Sequence, residues 1–268
     1  MCRILAVTAP GSFDVRPWLE TFAARCRTSG EYQGDGWGIA WRTSDGWERY
    51  RSVGPIWSEG ERSFPASTTF LVHARSAFRD TPVAVEHNMP FLDGQTAFAF
   101  NGELRGVRLA VPGVNGAARL FHLFGRLRET SSGASTAALE RLDRAVVART
   151  EYVRALNVVV VDEGGVHIRS RFGEDPDYFT LHACAEARGP GGERAAVVSS
   201  EAMTVPGADI HWQPVPNGGG LSLHPPGVGP GRRADPEPAR TGYGKSVDPA
   251  QELPLPPHAS ASRRNTSC

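Results

Sequence analysis

The 268-residue sequence predicts an α+β fold arranged as a four-layer αββα sandwich, and three observations carry the prediction. Apolar runs of strand length occupy both ends of the first 200 residues. Two stretches with helical periodicity separate them. Gly, Pro and Asp-Gly punctuation keeps the remaining segments too short for helices. Composition alone supports only α+β.

The elements follow in order. Cys2–Thr8 is a strand, since Ile4, Leu5, Ala6 and Val7 form an unbroken apolar run. Asp14 then caps a helix reaching about Arg27, with Val15, Trp18, Leu19, Phe22 and Ala23 at helical spacing. Strands are expected at 36–42, 46–51, 68–74 and 96–101, the last two joined by a longer segment broken at Thr81-Pro82 and Asp93-Gly94. Residues 119–128 and 136–149 read as amphipathic helices, marked by Leu120, Leu123, Phe124 and Leu127 and by Leu139, Leu142 and Val146. Strands at 155–162, 165–171, 178–183 and 195–199 complete the domain, the first pair turning at Glu163-Gly164-Gly165.

The domain is expected to span 2–216. Eleven of the 21 prolines lie at or after Pro214, beside Asn217-Gly218-Gly219-Gly220, so 217–268 reads as a Pro/Gly-rich, disordered tail. Net charge is zero with the two signs interspersed, which points to neither nucleic acid nor membrane as a partner. Only Lys245 is lysine among 29 basic residues. The N-terminus lacks a signal-peptide pattern and no stretch is long and apolar enough to span a membrane, so a cytoplasmic location is expected. Cysteines at 2, 26, 184 and 268 have neither metal spacing nor a disulfide-dense pattern.

Chemistry enters at Cys2. Once Met1 is removed, thiol and α-amine share one residue, and an amine with a pKa of about 7.7–8.0 can take the thiol's proton. Downstream, the apolar runs Leu71-Val72 and Ala97-Phe98-Ala99-Phe100 end in His73-Ala74-Arg75 and Asn101-Gly102. An amide side chain followed by a small residue with an open backbone N–H can receive an oxyanion, although Asn-Gly serves equally as a hairpin turn. Arg75 offers a planar fork for a carboxylate, or for a plain ion pair. His122, His167 and His182 share no ligand spacing with a carboxylate and read as structural. Asp35 reads as a turn former.

Taken with Gly34-Asp35-Gly36-Trp37-Gly38-Ile39-Ala40-Trp41, Pro90-Phe91, Ser199-Ser200-Glu201, Trp212 and Pro214-Val215-Pro216, these residues resemble the class II glutamine amidotransferases over roughly 2–215, short stand-alone members above all. The resemblance implies the N-terminal nucleophile hydrolase fold and a γ-glutamyl thioester on Cys2, with Asn101 and Gly102 as oxyanion hole. It also implies Arg75 as ligand of the substrate α-carboxylate, His73 and Trp37 as substrate neighbours, and no metal or cofactor. Departures are plain. Ser76 and Phe78 stand where the family carries an aromatic residue and a threonine, and Met89 replaces a histidine. Asn115-Gly116-Ala117-Ala118 occupies the place of the segment whose aspartate holds the α-amino group. Asp80, Glu86, Asp93 and Glu103 are the acidic alternatives.

Three functions follow. In the first, which the resemblance to the stand-alone amidohydrolase of ergothioneine synthesis implies, the chain is expected to strip a γ-glutamyl group from a pathway intermediate. Alternatively it is a glutaminase passing ammonia to a synthase subunit, or a silent binding or regulatory relative. The expected ligand in the first two is a small molecule, glutamine or a γ-glutamyl compound.

Overall fold

Side-chain alternation along the first strand sets the layering. In β1 (Arg3–Phe13), Ile4 and Ala6 face one side, Leu5 and Val7 the other, and all four are buried. A strand of this kind must be covered on both faces. Leu5 and Val7 pack with Trp18 and Phe22 of α1 (Arg16–Arg27). Ile4 and Ala6 pack against Ala97 and Ala99 of β6 (Ala97–Val107) and Val159 and Val161 of β7 (Thr150–Asp162). The far faces of β6 and β7 contribute Phe98, Phe100 and Val158 to a third core with Phe124 of α2 (Gly116–Glu129) and Leu142 of α3 (Ser135–Val147). Three successive cores make four layers, as the sequence predicts.

The computed structural model describes residues 1–59, 62–77 and 83–228. Phe78, Asp80, Thr81, Pro82 and everything from residue 229 lie outside the described residues. Within them, the remaining strands are β2 (Trp37–Thr43), β3 (Gly46–Ser52), β4 (Ser67–Ala74), β5 (Phe91–Leu92), β8 (Gly165–Arg169), β9 (His182–Arg188), β10 (Arg194–Ser199), β11 (Gln213–Pro214) and β12 (Gly220–Leu223). One sheet has the order β11-β9-β10-β1-β4-β2-β3, the other β12-β8-β7-β6-β5, and neighbours pair antiparallel throughout. Among the described residues no helix is long and apolar enough to cross a membrane.

Three expectations need correction. Residues 178–183 are not one strand: α4 (Pro176–Phe179) occupies the start, and β9 begins only at His182. Asp175 in the left-handed region and Pro176 at the first helical position initiate a turn that strand-forming residues alone do not reveal. The helix expected at 119 starts at Gly116, because the Asn115 side chain caps it by accepting from Ala118 N at 2.8 Å. The body also runs past residue 216. Gly218 turns the chain at positive φ, and Gly220–Leu223 add to the edge of β8. Asn217 exchanges two hydrogen bonds with the backbone of Phe172, at 2.9 and 2.8 Å. A four-residue strand inside a Gly/Pro-rich composition leaves no periodic signal.

Candidate active site

The layering decides which side chains meet. His73 continues the face of Leu71, and Asn101 that of Ala97 and Ala99; both therefore point between the sheets, at the end where β1 starts. Cys2 lies immediately before β1 on the face of Ile4 and Ala6. Its neighbour Arg3 fixes that end of the strand. The Arg3 guanidinium donates to Ser200 O (3.1 Å) and Tyr178 O (3.3 Å), pairs with Glu201 (3.2 Å) and lies 4.0 Å from the centre of the Tyr178 ring. Ile4 N donates to Ser200 Oγ at 2.9 Å. Ser200 and Glu201 thus anchor the residue beside Cys2.

Cys2 Sγ donates to Ser76 O at 3.7 Å. Burial pushes the thiol pKa up, and the positive charges of the N-terminal amine and Arg75 work against it. Arg75 is buried, and its guanidinium donates to Asn88 Oδ1 at 3.4 Å. Asn88 is held in turn by donating to Ser52 O at 2.7 Å. Asp35 is a clamp rather than an acid or base: its carboxylate accepts from Ala77 N at 2.7 Å, while Arg75 N donates to Gly36 O at 2.8 Å.

Two glycines are dictated by close approach. A Cβ on Gly102 would lie 2.1 Å from Ala155 O, and one on Gly38 2.4 Å from Met89 O. Met89 accepts from Phe100 N through sulfur at 3.2 Å.

Cys2, Arg75 and Gly102 line one cavity of about 420 Å³, together with Asn115 and an apolar arm that includes Leu104, Leu109 and Leu123. His73 and Asn101 are fully buried behind its wall. Burial, with the Arg75 charge second, drives the His73 pKa down to about 3, so the ring is neutral and supplies no base near pH 7. The Asn101 amide makes no hydrogen bond through either polar atom among the described residues. Trp37 is not brought to this site. Its odd-numbered place on β2 turns it to the α1 side, with ring centres 5.5 Å from Tyr50 and 6.0 Å from Phe64; strand parity, invisible in a glycine-rich motif, overturns the expectation.

Of the acidic alternatives, Glu103 is committed to Arg105 and to Arg154 (3.3 Å). Asp93 accepts from Gln95 N and Thr96 N at 3.0 and 2.7 Å, and Glu86 is exposed. Three residues that sequence reasoning passed over gather at Met1. Its amine pairs with Glu31, and its carbonyl accepts from Gln33 Nε2 and from Tyr178 Oη, the latter at 2.5 Å. Its side chain packs on Ala155 and Phe179. Only Arg3, by adjacency to Cys2, was open to inference from sequence.

The fold is that of the class II glutamine amidotransferases. It superposes on a predicted glutamine amidotransferase from Pseudomonas aeruginosa PA01 with a TM-score of 0.56 at 16% identity, covering 83% of this chain and 97% of that one. The glutamine phosphoribosylpyrophosphate amidotransferase from B. subtilis gives 0.57 at 17% identity, covering 83% and 47%. In sequence the chain is similar to the gamma-glutamyl-hercynylcysteine sulfoxide hydrolase of Mycobacterium tuberculosis, 34% identical over 90 residues. That match takes in 31% of this chain and spans 38% of the relative's length. No family model matches the chain.

Proposed function

We propose that the chain is a cysteine-dependent γ-glutamyl amidohydrolase whose nucleophile is Cys2 after loss of Met1. The observation that carries this reading is that Cys2, Arg75 and Gly102 line one cavity, with Asn101, whose amide has no hydrogen bond among the described residues, next to Gly102 in β6. The likeness to a γ-glutamyl hydrolase and to amidotransferases supports the class of reaction.

The freed α-amine of Cys2 takes the thiol proton as sulfur attacks the γ-glutamyl carbonyl carbon, forming a C–S bond. A base is needed because burial holds the thiol protonated. Asn101 Nδ2 and Gly102 N–H stabilise the oxyanion. Collapse breaks the C–N bond, the α-ammonium returns its proton to the departing amine, and water, deprotonated by the same amine, releases glutamate from the thioester and restores the thiol. Arg75 holds the substrate α-carboxylate. The apolar arm beside Gly102 supports a leaving amine larger than ammonia, which favours hydrolysis of a pathway intermediate over ammonia delivery to a synthase subunit. The location consistent with a reduced Cys2 is the cytoplasm.

The test is glutamate release by protein shown by mass to lack Met1, offered glutamine and a γ-glutamyl-cysteine derivative side by side. Greater release from the derivative is expected. Cys2→Ala is expected to abolish both without altering the circular dichroism spectrum; residual turnover within tenfold of the parent would refute the mechanism.

A further inference from the structure

Glu31, Gln33 and Tyr178 form a built polar seat, and Met1 fills it. Glu31 pairs with the Met1 amine, and Gln33 and Tyr178 donate to its carbonyl. Gln33 is fully buried, and its Oε1 has no partner among the described residues. Met1 also lines the cavity that Cys2 and Arg75 line, so the occupant of the seat borders that cavity.

Loss of Met1 divides this seat. The new Cys2 amine lies one bond from the vanished carbonyl, in the part of the seat that Gln33 and Tyr178 form. The position of the Met1 ammonium, further out, keeps Glu31 and loses its cation. Glu31 does approach Arg154 at 3.5 Å, but Arg154 also pairs with Asp175 at 2.7 Å and Glu103 at 3.3 Å. Glu31 thus loses the ammonium it pairs with, and the cation that replaces it, the Cys2 α-amine, stands one residue further along the chain.

We propose that Glu31 binds the α-ammonium of the γ-glutamyl substrate, supplying from the segment between α1 and β2 the carboxylate that 115–118 lacks. The inference rests on the γ-glutamyl reading above. Carboxylate to Arg75 and ammonium to Glu31 then fix the α-carbon at two points and present the γ-carbonyl to Cys2.

The experiment compares each substrate the Met1-free protein hydrolyses, glutamine or γ-glutamylcysteine, with its desamino counterpart, glutaramate or glutarylcysteine. The parent is expected to favour the amino form by roughly ten- to a hundredfold in kcat/KM, the range of one charge-assisted hydrogen bond. Glu31→Gln is expected to erase that preference, mainly through KM for the amino form. Turnover of the desamino form should stay within about twofold, which also shows that the variant folds. An unchanged preference in Glu31→Gln overturns the inference. So does an equal loss on both forms with a shifted pH profile, because Glu31 would then serve the Cys2 amine. Hydrolysis of neither form by the parent overturns the γ-glutamyl reading itself.

Discussion

Asn101 shows how one residue can divide stability from activity. Its amide is fully buried without a hydrogen bond among the described residues, a condition that costs about 1–3 kcal/mol. An oxyanion between Asn101 and Gly102 would relieve it during turnover. Asn101→Ala is therefore expected to lower kcat by about a hundred- to a thousandfold, with KM nearly unchanged and the thermal midpoint equal or higher. Kinetics and calorimetry on the same preparation check both signs. Cys2 stands before one apolar run and Arg75 and Asn101-Gly102 at the ends of two others, which is why sequence singles them out, and the structure brings Cys2, Arg75 and Gly102 to one cavity. Trp37 was misplaced because a motif does not state which face of a strand it occupies. Glu31 and Gln33 carry no local pattern, and only the fold reveals their contacts with Met1.

Between elements, a charge cluster forms the seam joining α3 to the strand after β7. Asp143 on α3, only 1% exposed, accepts from Arg169 (3.0 and 2.5 Å) and Arg171 (2.6 and 2.8 Å). Burial alone would raise its pKa, but the hydrogen bonds from Arg171 and Arg169 outweigh it and hold the carboxyl below the ordinary range. A depressed folded pKa means the stabilisation is complete above the unfolded value near 3.9 and is lost as pH falls through the folded one. Asp143→Ala is expected to cost about 3–5 kcal/mol at pH 7, the penalty for leaving buried charge unpaired, and less below pH 4, measured by urea denaturation across pH. Sequence periodicity located α3 and β8 to within a few residues, since Leu139, Leu142 and Val146 on one face demand a sheet to cover them. It missed α4 and β12, which are four residues each and below the length at which a period can be read.

At the scale of the molecule, β1 is a central strand, hydrogen-bonded by β4 on one side and β10 on the other. Met1, the residue before Cys2, is 7% exposed and tethered through Glu31, Gln33 and Tyr178. Burial of that end needs residues some 180 to 200 positions away, in α4 and around Ser200. The proposed removal of Met1 is therefore expected to precede pairing of β10, since the folded chain buries and tethers the residue to be cleaved. Protein folded with Met1 retained is expected to resist methionine aminopeptidase, and brief unfolding in urea followed by refolding with the enzyme present to restore processing. Intact mass after each treatment decides it, and rapid trimming of the folded chain would show that the N-terminus opens on its own.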